Sequence, residues 1–343
     1  MTLLDALHVN NSGGRVLLDY LVEQLHASGQ EVFYLLDERV QGSYPYLPAE
    51  KVCYKPAGLW NRYRFYRLRR KDFHAVLCFG NVPPPVRLDS SVYTFFHNVL
   101  FLDFQGENAW VKRVRFYLKA KVLKAFRSHT DEWWVQTATV KELLVQKLIV
   151  SAQSVCILPF FSSISKPSLT VHRERDSFLF VSDANPHKNH RRLLEAFQLV
   201  WIHYPKTRLY LTVSHAYPGM VQEIDDLALK GYPVTNLGFI SREVLQREYV
   251  KRGCLIYPSL RESFGLGLVE AAESNMPVLC AELPYAHAVI DPTATFDPKD
   301  PGAIARAVIA FLNNGGSPAR LKVKDEIKSM ISRLADCKEG TLE

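Results

Sequence analysis

Two glutamates eight positions apart, Glu262 and Glu270, flank the small-residue turn Ser263-Phe264-Gly265-Leu266-Gly267. Upstream, Cys254–Tyr257 reads as a buried strand, and the residues after Gly267 read as a helix. Strand, glycine turn and helix together suit an anion. Glycines let the backbone come close, and the first N–H groups of a helix have no intrahelical acceptor. The helix dipole alone contributes only about 0.3–1 kcal/mol, so several donors would have to converge on a diphosphate. Glu270, inside that helix, is placed to accept hydrogen bonds from a sugar diol. The same pattern also suits an ordinary strand-to-helix turn with one surface and one capping glutamate.

Three further groups could take part. Lys188 sits in a loop between a strand and an amphipathic helix, where it can reach a diphosphate as a point charge or remain solvated; Asn189 beside it reads as the helix cap. Gly13-Gly14 follow an apolar strand and precede a helix, so a phosphate or sugar could approach there. The third glycine of a dinucleotide fingerprint is missing. His97 ends the apolar run Val92–Phe96, at the strand edge where ligands of open α/β sheets gather. An imidazole there can meet a sugar hydroxyl, or simply be satisfied by backbone.

The elements that must hold these groups alternate between strand and helix signals, which argues for α/β domains with parallel sheets. The first unit is strand Leu3–Val9, the two glycines, then a helix with Leu17, Leu18, Leu21, Val22 and Leu25 on one face. Gly29 is a stop, and Glu31–Leu36 the next strand. Ala75–Phe79, Val92–Phe96, Trp133–Val135 and Val155–Leu158 continue the series. A Ser/Pro-rich loop from Pro159 to about Arg175 marks a boundary. Beyond it come strand Phe178–Val181, helix Arg191–His203, strand Arg208–Val213, helix Met220–Leu229, strand Val234–Leu237 and helix Arg242–Arg252. Strand Leu255–Tyr257, the glutamate-bearing helix, strand Val278–Ala281 and helix Pro301–Asn313 follow. A final helix is expected over Ala319–Ala335.

Length and composition set bounds. A chain of 343 residues accommodates two domains. With 48% hydrophobic and 22% charged residues it reads as an ordinary globular protein. The net charge of +7 suits an anionic ligand or surface. The six cysteines show no zinc spacing and read as buried thiols of a reducing compartment. The N-terminus lacks a basic region and Asp5 interrupts its apolar run, so it reads as a strand and not as a leader. No run approaches the roughly 20 apolar residues of a membrane span. The cytoplasm is the expected compartment. Two basic, aromatic stretches stand out, Trp110–Arg127 with seven cations and no acid, and Arg62–Lys71. Such segments can lie on an anionic membrane surface, or be core helices with a solvated face. No nucleic-acid motif accompanies them.

The stretch Pro258-Ser-Leu-Arg-Glu-Ser-Phe-Gly-Leu-Gly-Leu-Val-Glu270 resembles the donor-site signature of the retaining family 4 glycosyltransferases, with its Glu-x7-Glu pair. Phe178–Phe197, with Pro186-His-Lys-Asn189, resembles that family's strand, loop and helix. Asn236–Ile240 is similar to the strand before its base-binding loop, and Pro277-Val-Leu-Cys-Ala281 to the strand after the signature helix. Asn10–Gly14 and Phe95-Phe-His97 are similar to its glycine loop and acceptor-side histidine. The Pro-His-Lys-Asn form is most like bacterial surface-polysaccharide transferases of the O-antigen type.

The resemblance implies a GT-B-like fold, two Rossmann-like domains with parallel sheets facing a cleft. The expected bounds are 1–165, an acceptor-side domain, and 174–317, a nucleotide-sugar domain, with 318–343 a helix returning to the first. It implies retaining glycosyl transfer from a nucleotide-sugar donor to a glycan acceptor, lipid-linked or surface polysaccharide. His97, Glu262 and Lys188 would be catalytic. Gly13, Gly14, Lys188, Asn189, Ile240, Arg261, Ser263, Phe264, Gly265, Leu266, Gly267 and Glu270 would bind donor. No Asp-x-Asp occurs, so neither metal nor cofactor is expected, and helix N-termini and cations would neutralise the phosphates. Two positions depart from the family. Asp183 stands where it has an arginine, with Arg261 a substitute, and Ala288 stands where a glutamate is common. A nucleotide-sugar epimerase, a phosphorylase and a non-catalytic sugar-nucleotide binder are the alternatives.

Overall fold

The computed structural model describes residues 1–103, 110–164 and 172–336, without the side chains of Ser12, Val111, Lys112 and Arg115. Part of the expected boundary loop, 165–171, and the end of the expected C-terminal element, 337–343, lie outside the described residues. The chain divides into two compact units. The first comprises Met1–Ser162 and Lys324–Glu343, the second Ser163–Val323.

The first unit is a seven-stranded parallel sheet: β1 (Thr2–Ala6), β2 (Val32–Asp37), β3 (Val52–Lys55), β4 (Ala75–Cys78), β5 (Ser91–Phe95), β6 (Glu132–Val135) and β7 (Val155–Ile157). The order is β3-β2-β1-β4-β5-β6-β7. The chain starts in the middle, winds outward, and returns to start β4 beside β1. Every residue of β1, β2 and β4 is buried, as expected of strands covered on both faces. Four helices lie in the connections: α1 (Ser12–Ala27), α2 (Leu59–Arg69), α3 (Trp110–Phe126) and α4 (Ala138–Leu148). The apolar stripe read on α1 is fully inside, and Gly29, at φ +71°, follows its end. Gly13-Gly14 do not precede α1 as expected but lie in its first turn, because β1 already ends at Ala6.

A buried ion pair organises this core. Asp5 of β1 accepts from Arg62 Nε at 2.6 Å and from Tyr66 Oη at 2.7 Å. The same guanidinium donates to the carbonyls of Val82 and Pro83. Arg62 is 1% exposed, so within the basic stretch 62–71 it belongs to the core face and not to the solvated one. Arg69 of that stretch also turns inward, its guanidinium 3.9 Å from the Phe33 ring centre.

The second unit has a six-stranded parallel sheet: β8 (Glu174–Phe180), β9 (Arg208–Leu211), β10 (Val234–Asn236), β11 (Arg252–Tyr257) and β12 (Val278–Ala281), then, after β13 (Ile290–Asp291), β14 (Ala294–Phe296). The order is β10-β9-β8-β11-β12-β14. Helices α5 (His190–His203), α6 (Pro218–Leu229), α7 (Arg242–Lys251) and α8 (Leu266–Glu273) connect the strands; α9 (Pro284–His287) and α10 (Pro301–Asn314) follow. The helix expected over Ala319–Ala335 is two elements. Strand β15 (Arg320–Leu321) pairs antiparallel with β13, and α11 (Ile327–Asp336) belongs to the first unit. Asp325 starts α11 by accepting from Ile327 N, and its other oxygen takes the Tyr20 hydroxyl of α1 at 2.6 Å. Gln30 donates to the Ile331 carbonyl, and Ile327, Met330 and Leu334 are buried.

Candidate functional site

In the second sheet the direction of winding switches between β8 and β11, and the carboxyl ends of strands at such a point form a natural crevice. Lys188 leaves β8 there and Glu262 leaves β11. Lys188 Nζ lies 2.7 Å from Glu262 Oε1, with the two side chains 18% and 10% exposed. Tyr257 Oη donates to the same oxygen at 2.9 Å. Burial pushes the Glu262 carboxyl up, but Lys188 outweighs it and the net shift is downward. The group is therefore an anion whose second oxygen receives neither of these donors.

Gly265 precedes α8 at φ +87°, a left-handed conformation that suits glycine. A methyl at Gly267 would lie 3.2 Å from Tyr257 Cε2 and 3.4 Å from Tyr249 Oη, so only glycine leaves both tyrosines their place. Glu270, 7% exposed, accepts from Tyr249 Oη at 2.9 Å and faces Arg242 at 3.6 Å. Burial raises its carboxyl above the usual range, and Arg242 and Tyr249 only partly offset this. A carboxylate so poorly solvated is improved by further O–H donors, which a sugar diol supplies.

Asn189 occupies the N-cap position of α5, as read from local sequence, but its side chain makes no capping bond. It sits at φ +67°, and its buried amide donates to the Pro258 and Pro298 carbonyls at 3.1 and 2.7 Å. It thereby ties the loops after β8, β11 and β14 together. Leu260 N adds a bond to the His187 carbonyl. Arg261 and Ser263 are half-buried in the same loop, Phe264 is buried, and Leu266 starts α8. Ile240 is half-buried between Gly238 and the Ser241 cap of α7.

The first unit holds a second group of candidates at the carboxyl ends of β4 and β5. His97 packs between Phe79 and Phe95, with ring centres 5.1 and 5.6 Å away. A methyl on Gly14 would lie 3.4 Å from His97 Nε2, so Gly14 and His97 are neighbours. Gly13 is exposed.

Residues 163–328 match the family model described as Glycosyl transferases group 1. They form a group 1 glycosyl transferase domain. The chain is 27% identical over 201 residues to the O-antigen chain mannosyltransferase RfbU of Salmonella typhimurium, a match covering 57% of this chain and 54% of that protein. It is 29% identical over 143 residues to O-antigen chain mannosyltransferase B of Escherichia coli, covering 40% of this chain and 36% of that one. The chain thus spans about half or less of these relatives' length. Among solved structures, sucrose-phosphate synthase from Thermosynechococcus elongatus superposes with a TM-score of 0.70 at 18% identity, over 98% of this chain and 94% of that one. HepE of Anabaena in complex with UDP and glucose gives 0.64 at 12% identity, over 98% and 96%. At these identities the likeness concerns the fold, which is the GT-B type.

Within the group 1 domain, sequence reasoning missed Tyr249 and Tyr257, each holding one oxygen of a signature glutamate. An aromatic ending a helix or strand reads as core, and both rings are core. Only their hydroxyls reach the carboxylates. The available signal was the pair of glycines: Gly267 makes room for both rings.

Proposed function

We propose that the protein is a retaining glycosyltransferase that moves a sugar from a nucleotide-sugar donor to a glycan acceptor. The observation that carries this reading is the Lys188–Glu262 pair at the β8/β11 switch point, beside the start of α8. The donor diphosphate would lie against Lys188 and the first N–H groups of α8, with Arg261 as a further cation. These groups stabilise the charge that develops on the leaving diphosphate as the anomeric carbon becomes oxocarbenium-like. Retention follows the family resemblance, and no enzymic nucleophile is assigned. The O-antigen mannosyltransferase relatives favour mannose as the transferred sugar and a lipid-linked or surface polysaccharide as acceptor.

Thermal-shift measurements with UDP-, GDP-, ADP- and CMP-linked sugars test the donor, because a ligand of the folded state raises apparent stability. Product analysis with and without acceptor tests the chemistry. Donor epimerised without acceptor, or sugar phosphate formed from a glycan, assigns the chain to the alternative enzyme classes. A thermal shift with no product assigns it to binding alone.

Glu270→Ala is expected to weaken donor binding by about one to two orders of magnitude, from hydrogen bonds to a charged group worth roughly 1.5–3 kcal/mol. Tyr249→Phe should weaken it in the same direction and less, since it removes one of the groups holding the carboxylate. Titration calorimetry showing unchanged donor affinity in folded Glu270→Ala would remove the diol assignment.

Peripheral contact with the inner membrane face, through residues 110–127, belongs to the same proposal. Among the described residues no helix is long and apolar enough to cross a membrane. The apolar residues along α3 divide between core and surface. Val122 and Phe126 pack on the core, whereas Trp110, Val114, Tyr117 and Leu118 are 74, 46, 50 and 56% exposed. Arg113, Lys121 and Lys124 are exposed beside them, and each basic residue near an anionic surface contributes about 1 kcal/mol. The triple charge reversal Arg113→Glu, Lys121→Glu, Lys124→Glu is expected to abolish sedimentation with anionic vesicles at low salt. Activity on a soluble acceptor analogue should remain. Equal sedimentation of wild type and variant would return α3 to an ordinary surface helix.

A further inference from the structure

A hydrogen-bond pattern at the carboxyl edge of the first sheet determines which nitrogen of His97 carries a proton. Asn81 follows β4 at φ +68°, a conformation asparagine tolerates better than most residues. Its Oδ1 accepts the backbone N–H of His97 at 2.7 Å. A backbone N–H can only donate, so this bond fixes the orientation of the amide. The Asn81 Nδ2 group then faces His97 Nε2 at 3.3 Å. An amide NH2 also can only donate. Nε2 must therefore accept through its lone pair and carries no proton. A neutral imidazole in that position has its proton on Nδ1. Phe79 and Phe95 hold the plane of the ring, and Gly14 closes on the Nε2 side. Burial lowers the imidazole to about 4, so the ring is neutral near pH 7. His97 Nδ1 is buried and has no partner among the described residues. A buried donor without an acceptor is unfavourable, and such groups concentrate where a ligand completes them.

We infer that Asn81 is a positioning residue that locks His97 in the Nδ1–H tautomer, so that His97 offers a sugar hydroxyl an N–H donor at Nδ1. The inference rests on the role in glycosyl transfer that the family resemblance implies for His97. It has two chemical consequences. Nε2 cannot act as a proton donor, and its lone pair is occupied, so it cannot act as a base. The ligand group that meets His97 must present an acceptor oxygen.

The test uses the full chain labelled with 15N-histidine, with His97 assigned by the signals missing from His97→Gln. Long-range proton–nitrogen correlations report which ring nitrogen is protonated. The wild type is expected to show Nδ1–H and an unprotonated Nε2. In Asn81→Asp the carboxylate accepts from both the backbone N–H and the ring. The proton should move to Nε2, and the titration midpoint should rise by about one to three pH units. Transfer kcat/KM should fall on the order of tenfold, the scale of one hydrogen bond realised in the reacting complex. Asn81→Gly keeps the left-handed backbone without strain and provides the second variant; both tautomers should then be populated.

Wild-type protein with Nε2–H would overturn the inference. So would a reversed tautomer in Asn81→Asp with kcat and KM both unchanged, even while Lys188→Ala abolishes transfer. A wild-type chain that transfers no sugar from any nucleotide donor, yet shows Nδ1–H, would instead defeat the proposed function and sustain the lock.

Discussion

Lys188→Ala is expected to lower glycosyl transfer by about 10²–10³-fold, the effect of removing one preorganised charge-stabilising group from an enclosed site. The Lys188 side chain is 18% exposed, and its ammonium lies 2.7 Å from Glu262 Oε1. Its removal therefore acts twice, taking a cation from the leaving group and leaving a buried carboxylate unbalanced. Burial then dominates at Glu262, and a carboxyl held below its usual range moves upward. The double variant Lys188→Ala, Glu262→Gln separates the two effects. Donor affinity is the readout, because Glu262 is itself read as catalytic. If the cation matters to the phosphate, the double variant binds donor as weakly as the single one. If the single variant acts only through an orphaned carboxylate, neutralising that carboxylate restores donor affinity. The pair also has a pH signature. A carboxyl depressed on folding contributes stability that is complete above its unfolded value and lost as pH falls through its folded value. Wild type should lose that contribution on acidification, and the double variant should not. Steady-state kinetics within about threefold of wild type, for folded Lys188→Ala, would count against the phosphate role.

Asp5→Ala should destabilise the first unit by about 3–5 kcal/mol, because it leaves the Arg62 cation buried without its anion. Native stability is typically only about 5–15 kcal/mol, so a large part of the folded population is at stake. Arg62 is also bonded to the Val82 and Pro83 carbonyls and cannot swing out to water without breaking them. The double variant Asp5→Leu, Arg62→Met should recover most of the loss, since an apolar pair of similar volume often replaces a buried ion pair without penalty. Denaturant unfolding followed by the Trp133 and Trp134 fluorescence of β6 would read this unit. A midpoint shift equivalent to less than about 1 kcal/mol would show that Asp5 tolerates loss of its charge.

The parallel two-unit architecture was legible because its signals are local. Alternating strand and helix patterns survive in the sequence, and the α1 stripe is the buried face. The Glu262/Glu270 turn was legible for a similar reason, since Gly265 and Gly267 mark a backbone that other residues would strain or crowd. What was not legible depends on partners distant in sequence. Asn189 looks like a cap by its neighbours, yet its amide is taken by Pro258 and Pro298. Arg62 looks like one cation in a basic helix, and its burial is decided by Asp5 on another strand. Asp5 was itself a trace of this, as a charge in an otherwise apolar run. Strand β3 was missed because its four residues are only half covered. The single helix expected near the C-terminus fails for the same reason as Asn189: Arg320–Leu321 finds a partner strand in Ile290–Asp291.

The first unit is assembled from both sides of the second: Met1–Ser162 builds its sheet, and Lys324 onward completes it. During synthesis from the N-terminus, the second unit has all its residues available while the first still lacks α11. The ribosome thus finishes the later unit before the earlier one. Until α11 emerges, the surface of α1 that receives Tyr20–Asp325 and the contact from Gln30 to Ile331 is uncovered. A released chain that ends shortly after Val323 would carry all the residues of the second unit beside an N-terminal unit that still lacks α11. Removal of α11 should therefore be felt in the unit made first.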